Sequence, residues 1–208
     1  MMDYLKDGAE IYRQSFAAIR AETNLKGIPL SIQPFLLRIV HATASPEIVS
    51  DFAYSEDAAR AGHEALSKGA PIFADCAMVM AGIIKSRLKG NEVICTLYDE
   101  EVKDRAQALK TTRSAAAVDL WKPRLDGAIA VIGNAPTALF RLLELIAEGA
   151  RPALVLGFPV GFIGARESKE ALIAQAQGVP YVTLKGRRGG SPMAAAALNA
   201  LTGPEGGA

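Results

Sequence analysis

The sequence predicts an α/β fold. We expect one domain spanning 1–208, built on a mostly parallel five-stranded sheet with helices on both faces and a helical segment at the N-terminus. Three observations lead there. From residue 71 onward, short apolar runs alternate with helical patterns, as strands joined by crossover helices require. Those runs are almost continuously apolar, which argues strands covered on both faces. Half of the 208 residues are hydrophobic but only 6% are aromatic, so the core is built from Ala, Leu, Ile and Val. A chain of this length buries about 70% of its unfolded surface, enough for a sizeable core.

Taken in order, residues 3–24 read as an amphipathic helix. Leu5, Ala9, Tyr12, Phe16 and Ile19 form its stripe, and Ser15 stands at the margin, one turn from Ile11 and from Ile19. Gly27-Ile28-Pro29 breaks the helix. In the next one, about 100° per residue puts Ile32, Phe35, Leu36, Ile39 and Val40 on one apolar arc. Arg38 and His41 fall roughly opposite that arc. They form either a solvated polar face or an Arg/His pair offered to a cleft or a neighbouring subunit. Ser45-Pro46-Glu47 starts a short helix, and Ser55-Glu56-Asp57 opens another that runs to about 68 and is closed by Gly69. Strands are then expected at 71–74, 92–97, 127–132, 152–156 and 181–184. Between and after them come helices through Met78 and Ile83, then over 100–121, 136–148, 168–177 and 191–201. The Gly/Pro tail from 203 is expected to fray.

Charge and cysteine content narrow the function classes. With 23 basic and 22 acidic residues the net charge is +1, so no overall field favours nucleic acid. Cys76 and Cys95 are far apart in apolar runs and lack metal or redox spacing. They read as buried, inert thiols. No His/Cys/Asp cluster has ligand spacing, so no metal is expected. Charges from residue 3 argue against a signal peptide, and no apolar run reaches the roughly 18 residues of a membrane span. The expectation is a cytoplasmic protein without a membrane partner.

In a parallel sheet ligands bind beyond the carboxyl ends of the strands. The residues expected there are Asp75, Tyr98-Asp99, Gly133-Asn134, 157–164 and 185–190. The segment Gly157-Phe158-Pro159-Val160-Gly161-Phe162-Ile163-Gly164 leads into a helix, and so does Gly133-Asn134-Ala135-Pro136. Free N–H groups at such ends suit an anion. The glycine spacing departs from the dinucleotide fingerprint, and no P-loop occurs. Lys185, Arg187 and Arg188 form the densest basic cluster, read either as a solvated turn or as a receptor for a ligand with several carboxylates. Arg113, in Thr112-Arg113-Ser114, would pair with a carboxylate if it faces the cleft. His63 sits in a charged helix and reads as surface, and neither histidine accompanies a nucleophile elbow.

Five separated motifs, in order along nearly the whole chain, resemble precorrin-8X methylmutase. They are Arg38-x-x-His41; Asp75-x-x-Met78-Val79-x-x-Gly82-Ile83; Thr112-Arg113-Ser114-Ala115; Gly133-Asn134-Ala135-Pro136-Thr137-Ala138; and Gly157-Phe158-Pro159-Val160-Gly161-Phe162 followed by Glu167-Ser168-Lys169. The resemblance implies an isomerase of cobalamin biosynthesis that needs no cofactor or metal. Such an enzyme moves a methyl group from C-11 to C-12 of the substrate ring to give hydrogenobyrinic acid. It further implies a homodimer holding the corrinoid partly across the subunit boundary, with His41 as general acid and Ser15 and Arg38 as substrate-binding residues. Asn134, Gly161, Arg113, Lys185, Arg187 and Arg188 are further substrate-binding candidates. Two readings from other classes stand beside it, a corrinoid carrier without turnover and a nucleotide-dependent oxidoreductase using the loop at 157–164.

Overall fold

Capping residues set the helix starts in the computed structural model, which describes residues 2–203. Asp7 accepts hydrogen bonds from the backbone N–H of Ala9 and Glu10 and starts α1 (Gly8–Glu22). Pro34 lies in the first turn of α2 (Gln33–Thr43), which ends on a left-handed Ala44. A 3-10 turn (Pro46–Asp51) leads to β1 (Phe52–Tyr54) and then α3 (Ala58–Ser67). There follow β2 (Ile72–Ala74), α4 (Ala77–Gly82), β3 (Val93–Ile94), α5 (Glu100–Ala108) and α6 (Arg113–Asp119). The chain continues through β4 (Ile129–Ile132), α7 (Pro136–Ala147), β5 (Leu154–Gly157), α8 (Ala165–Gln175), β6 (Tyr181–Leu184) and α9 (Ser191–Ala200). Apart from Gly203, the tail expected to fray lies outside the described residues.

The sheet has six strands in the order β1-β6-β5-β4-β2-β3. The five expected strands are parallel, and β1 adds an antiparallel edge to β6, with Phe52 opposite Leu184 and Tyr54 opposite Val182. The sequence reading missed β1 because three half-buried residues carry no strand pattern of their own; β6 supplies their pairing. The single helix expected over 100–121 is two. Lys110 takes a left-handed φ of 50°, and Thr112 accepts from the N–H of Ala115 to begin a new helix. That turn swings Ala115–Val118 against α5 and α7, where short side chains permit close approach.

Alternate strand residues serve opposite faces. Ile72, Ala74, Ile129, Val131, Leu154 and Leu156 meet α2, α3, α4 and α9, while Phe73, Ala130, Ile132 and Val155 meet α6, α7 and α8. This two-sided burial is why the strands read as continuous apolar runs. On the first face the helices are layered. The small residues Ala194–Ala197 let α9 lie directly on β4 and β5, α2 packs on α9, and α1 packs on α2. The winding reverses between β2 and β4, and Asp75 and Gly133 stand at that switch point.

Candidate active site

The layering decides the setting of Arg38 and His41. Because α2 is sandwiched between α9 and α1, six consecutive residues from Phe35 to Val40 are buried. Arg38 is therefore no part of a solvated face; it is only 8% exposed. Its guanidinium lies 5.8 Å from the centres of both the Tyr12 and Phe16 rings, and its Nη2 has no hydrogen-bond partner among the described residues. Burial pulls its proton affinity below the ordinary arginine range, and Arg87 adds to that, against a raising influence of Tyr12.

His41, in the last turn of α2, is exposed. Its ring stacks on Phe16 with 4.9 Å between centres and meets Tyr12 edge-on at 5.8 Å. Among the described residues neither imidazole nitrogen makes a hydrogen bond, so α1 orients the ring while leaving both nitrogens to a ligand. Partial burial lowers the His41 pKa below 6.5, and the positive charge of Arg38 lowers it further. The side chain forms a ridge between two hollows. One, of about 310 Å³, is lined by Ser15, Ile19, Glu22, Val40, Ala44 and Pro46. The other, of about 270 Å³, is lined by Arg38, Ala42, Gly82, Pro192, Ala195 and Asn199. Each lies near the lower limit of ligand-sized pockets, about 300–1,000 Å³.

The remaining candidates line the carboxyl edge of the sheet. Lys185 is exposed, and its N–H donates to the carbonyl of Asp51 beside β1. Arg187 lies over the Phe162 ring at 5.4 Å, and the carbonyl of Arg187 accepts from the N–H of Gly161. Gly161 itself has a φ of 147°, in the region that favours glycine. Arg188 pairs with Glu47 at 2.9 Å, so it is not the free cation that the sequence implied. The segments 157–164 and 185–190 thus form one wall. Pro46 and Glu47 connect it to the first hollow, and Pro192 connects it to the second.

Asn134 and Arg113 belong to the other end of this edge. The expectation that the N–H groups of Gly133, Asn134 and Ala135 would take an external anion is wrong. All three donate to the Asp75 carboxylate, at 2.8–2.9 Å, so the chain's own side chain fills that cradle. Burial raises the Asp75 pKa and the three N–H bonds pull it back. The Asn134 side chain remains exposed. Arg113 donates to the carbonyl of Leu97 and lies over Tyr98, while Thr112 and Thr137 join their hydroxyls at 2.7 Å to tie α6 to α7. The structure brings Ser15, Arg38 and His41 together, and the basic loop adjoins them through Pro46–Glu47 and Pro192. It leaves Arg113 and Asn134 apart from them within the chain.

Sequence reasoning did not single out Tyr12 and Phe16 as the holders of the imidazole. Their spacing put them on the stripe of α1, but nothing local said that this stripe faces His41. Lys169 was likewise quoted only within a motif, and it is fully buried. Cys76 is buried beside the Ser191 hydroxyl at 3.3 Å, and burial raises the Cys95 thiol, so both are poor nucleophiles. Among the described residues no three His, Cys, Asp or Glu side chains cluster, and no helix is long and apolar enough to cross a membrane.

The chain is similar to known proteins over nearly its whole length. The family model for precorrin-8X methylmutase matches residues 10–203. The precorrin-8X methylmutase of Pseudomonas aeruginosa is 55% identical over 203 residues, covering 97% of this chain and 98% of that one. The cobalt-precorrin-8 methylmutase of Priestia megaterium is 39% identical over 196 residues, covering 93% and 86%. The crystal structure of precorrin-8X methylmutase from Thermus thermophilus superposes with a TM-score of 0.86 at 43% identity, over 94% of this chain and 95% of the other. An α/β sheet of this winding is thus the fold of known methylmutases, and the chain belongs to the precorrin-8X methylmutase family.

Proposed function

We propose that this isomerase moves the methyl group of precorrin-8X from C-11 to C-12, giving hydrogenobyrinic acid, with His41 as the general acid. The observation that supports this most is the setting of His41. It is oriented by two aromatic rings, both nitrogens are unbonded among the described residues, and hollows open on either side of it. Methyl migration between adjacent ring carbons becomes easier when the conjugated system is protonated, and a positioned acid supplies roughly 10²–10⁴-fold. Burial and, after it, the charge of Arg38 lower the pKa of the free imidazole. The carboxylates of a bound substrate would raise its pKa again, so the acid is charged chiefly in the complex. The rest of the acceleration comes from holding the macrocycle so that the rearranged geometry fits best.

Ser15, Arg38, Gly161, Lys185, Arg187 and Arg188 are the contacts we propose for the substrate within one subunit. Arg113 and Asn134 would come from a two-fold partner, because each hollow at His41 is small and those residues stand at the far end of the edge. A homodimer with shared sites follows from this reading. No cofactor enters it, and Asp75 fills the switch-point cradle that a nucleotide phosphate would otherwise take there. The relatives at 55% and 50% identity are named for precorrin-8X and one at 39% for the cobalt form, which favours the metal-free substrate. Feeding both substrates to purified protein tests the proposal. Turnover beyond one equivalent per site with metal-free substrate is expected; product stopping at one equivalent would make the protein a corrinoid carrier instead.

A further inference from the structure

We infer that Lys169 is a positioning residue of the substrate site, whose buried ammonium holds the carbonyl of Arg188 and so aims the basic loop at the ligand's carboxylates. The inference rests on the reading above that the loop at 185–190 receives those carboxylates. Lys169 lies within α8 and is 0% exposed, and no other lysine among the described residues is buried. Among the described residues it forms no ion pair. Its Nζ donates to the backbone carbonyl of Arg188 at 2.5 Å, nineteen residues further along the chain. Burying a lysine without a carboxylate partner costs stability, and an apolar side chain of similar volume would pack there more cheaply. Its pKa of about 8, pulled down by burial and only partly restored by Asp51, reflects that cost. What the fold obtains in return is the placement of one loop carbonyl.

The rest of the loop is built for the same purpose. The N–H of Lys185 is held by the carbonyl of Asp51, the carbonyl of Arg187 by the N–H of Gly161, and the N–H of Gly190 by the carbonyl of Phe158. At Gly189 a Cβ would stand 2.4 Å from the carbonyl oxygens of both Phe158 and Pro159, so the loop lies flat on its neighbour. With the backbone pinned inward, the side chains of Lys185, Arg187 and Arg188 emerge outward. The loop thus carries three cations, of which Arg188 is paired with Glu47, an excess that a ligand with several carboxylates would neutralise.

Steady-state kinetics on precorrin-8X with the purified full chain test the assignment. Lys169→Met should raise KM about tenfold while kcat stays within about twofold, because the acid is untouched and carboxylate binding is not. The Arg187→Ala/Arg188→Ala double variant should raise KM as well, and adding Lys169→Met to it should raise KM no further, since a misplaced loop without its guanidinium groups has nothing left to misaim. A wild-type KM for Lys169→Met, or an independent and additive rise in the triple variant, overturns the positioning role and leaves the basic-loop reading intact. A wild-type KM for the Arg187/Arg188 double variant overturns that reading and the inference with it. Should Lys169→Met not fold, Lys169→Leu takes its place under the same expectations.

Discussion

Arg38 lies one helical turn before His41, wedged against Tyr12 and Phe16, and it keeps a positive charge beside the imidazole. Two consequences can be measured on this pair. Replacing His41 with Ala should reduce methyl transfer by at least about 10²-fold, the lower bound for a positioned acid, while corrinoid affinity changes by less than about tenfold. A variant that keeps more than a tenth of the wild-type rate removes His41 from the mechanism. The second concerns stability against pH. The folded pKa of His41 lies below its unfolded value near 6.5, so the folded state binds fewer protons in that interval. Stability should therefore fall as pH drops through the interval below 6.5 and be fully present above it. Urea midpoints of the wild type should show a drop there that His41→Gln largely lacks.

Elements meet at two points where the backbone leaves no slack. Gly82 ends α4 against α9, and a Cβ there would stand 2.7 Å from the Cβ of Ala195. Both residues also line the hollow beside Arg38 and His41. Gly82→Ala should cost about 1–3 kcal/mol in denaturant unfolding through overpacking, and should lower activity as well, because α9 can yield only into that hollow. At the switch point, one carboxylate serves the N–H groups of three residues leading into α7. Asp75→Asn turns an amide NH₂ toward at least one of those donors. Leaving it unsatisfied should destabilise the protein by about 1–3 kcal/mol, seen as a lower urea midpoint with an unchanged slope. A destabilisation below 0.5 kcal/mol would mean that the cradle tolerates a neutral group.

At the scale of the whole molecule, the proposed substrate contacts span more of the sheet edge than one subunit gathers round His41. Arg113 sits beyond β3 at one margin and lines neither hollow at His41. If a partner closes the site, His41→Ala and Arg113→Ala homodimers are each inactive, but mixed dimers recover one site with both residues native. Activity should return on mixing after subunit exchange, towards about a quarter of the wild-type level, since half of the dimers are mixed and each has one intact site of two. No recovery despite demonstrated exchange would place both residues in one chain's site.

The sequence by itself determined the α/β class, the parallel strands after residue 71, the five expected strand positions and most helix starts. These rest on short-range physics: apolar runs, glycines that close helices such as Gly69 and Gly149, and prolines in first turns such as Pro136. The motif with Arg38 and His41 was legible too, as was the gathering of 157–164 and 185–190 at one edge, because strand direction alone sends every βα loop there. Tertiary structure decided what no local pattern encodes. The edge strand β1 exists only because β6 pairs with it, and 100–121 divides because the alanines of α6 must reach α7. Arg38 looked solvated by helical periodicity but is buried, since α1 covers the side of α2 that periodicity left open. Asp75 fills an anion cradle across more than fifty residues of chain, and Lys169 lies beneath a loop nineteen residues on. Burial and pairing of that kind depend on which elements become neighbours, and packing of the whole chain settles that.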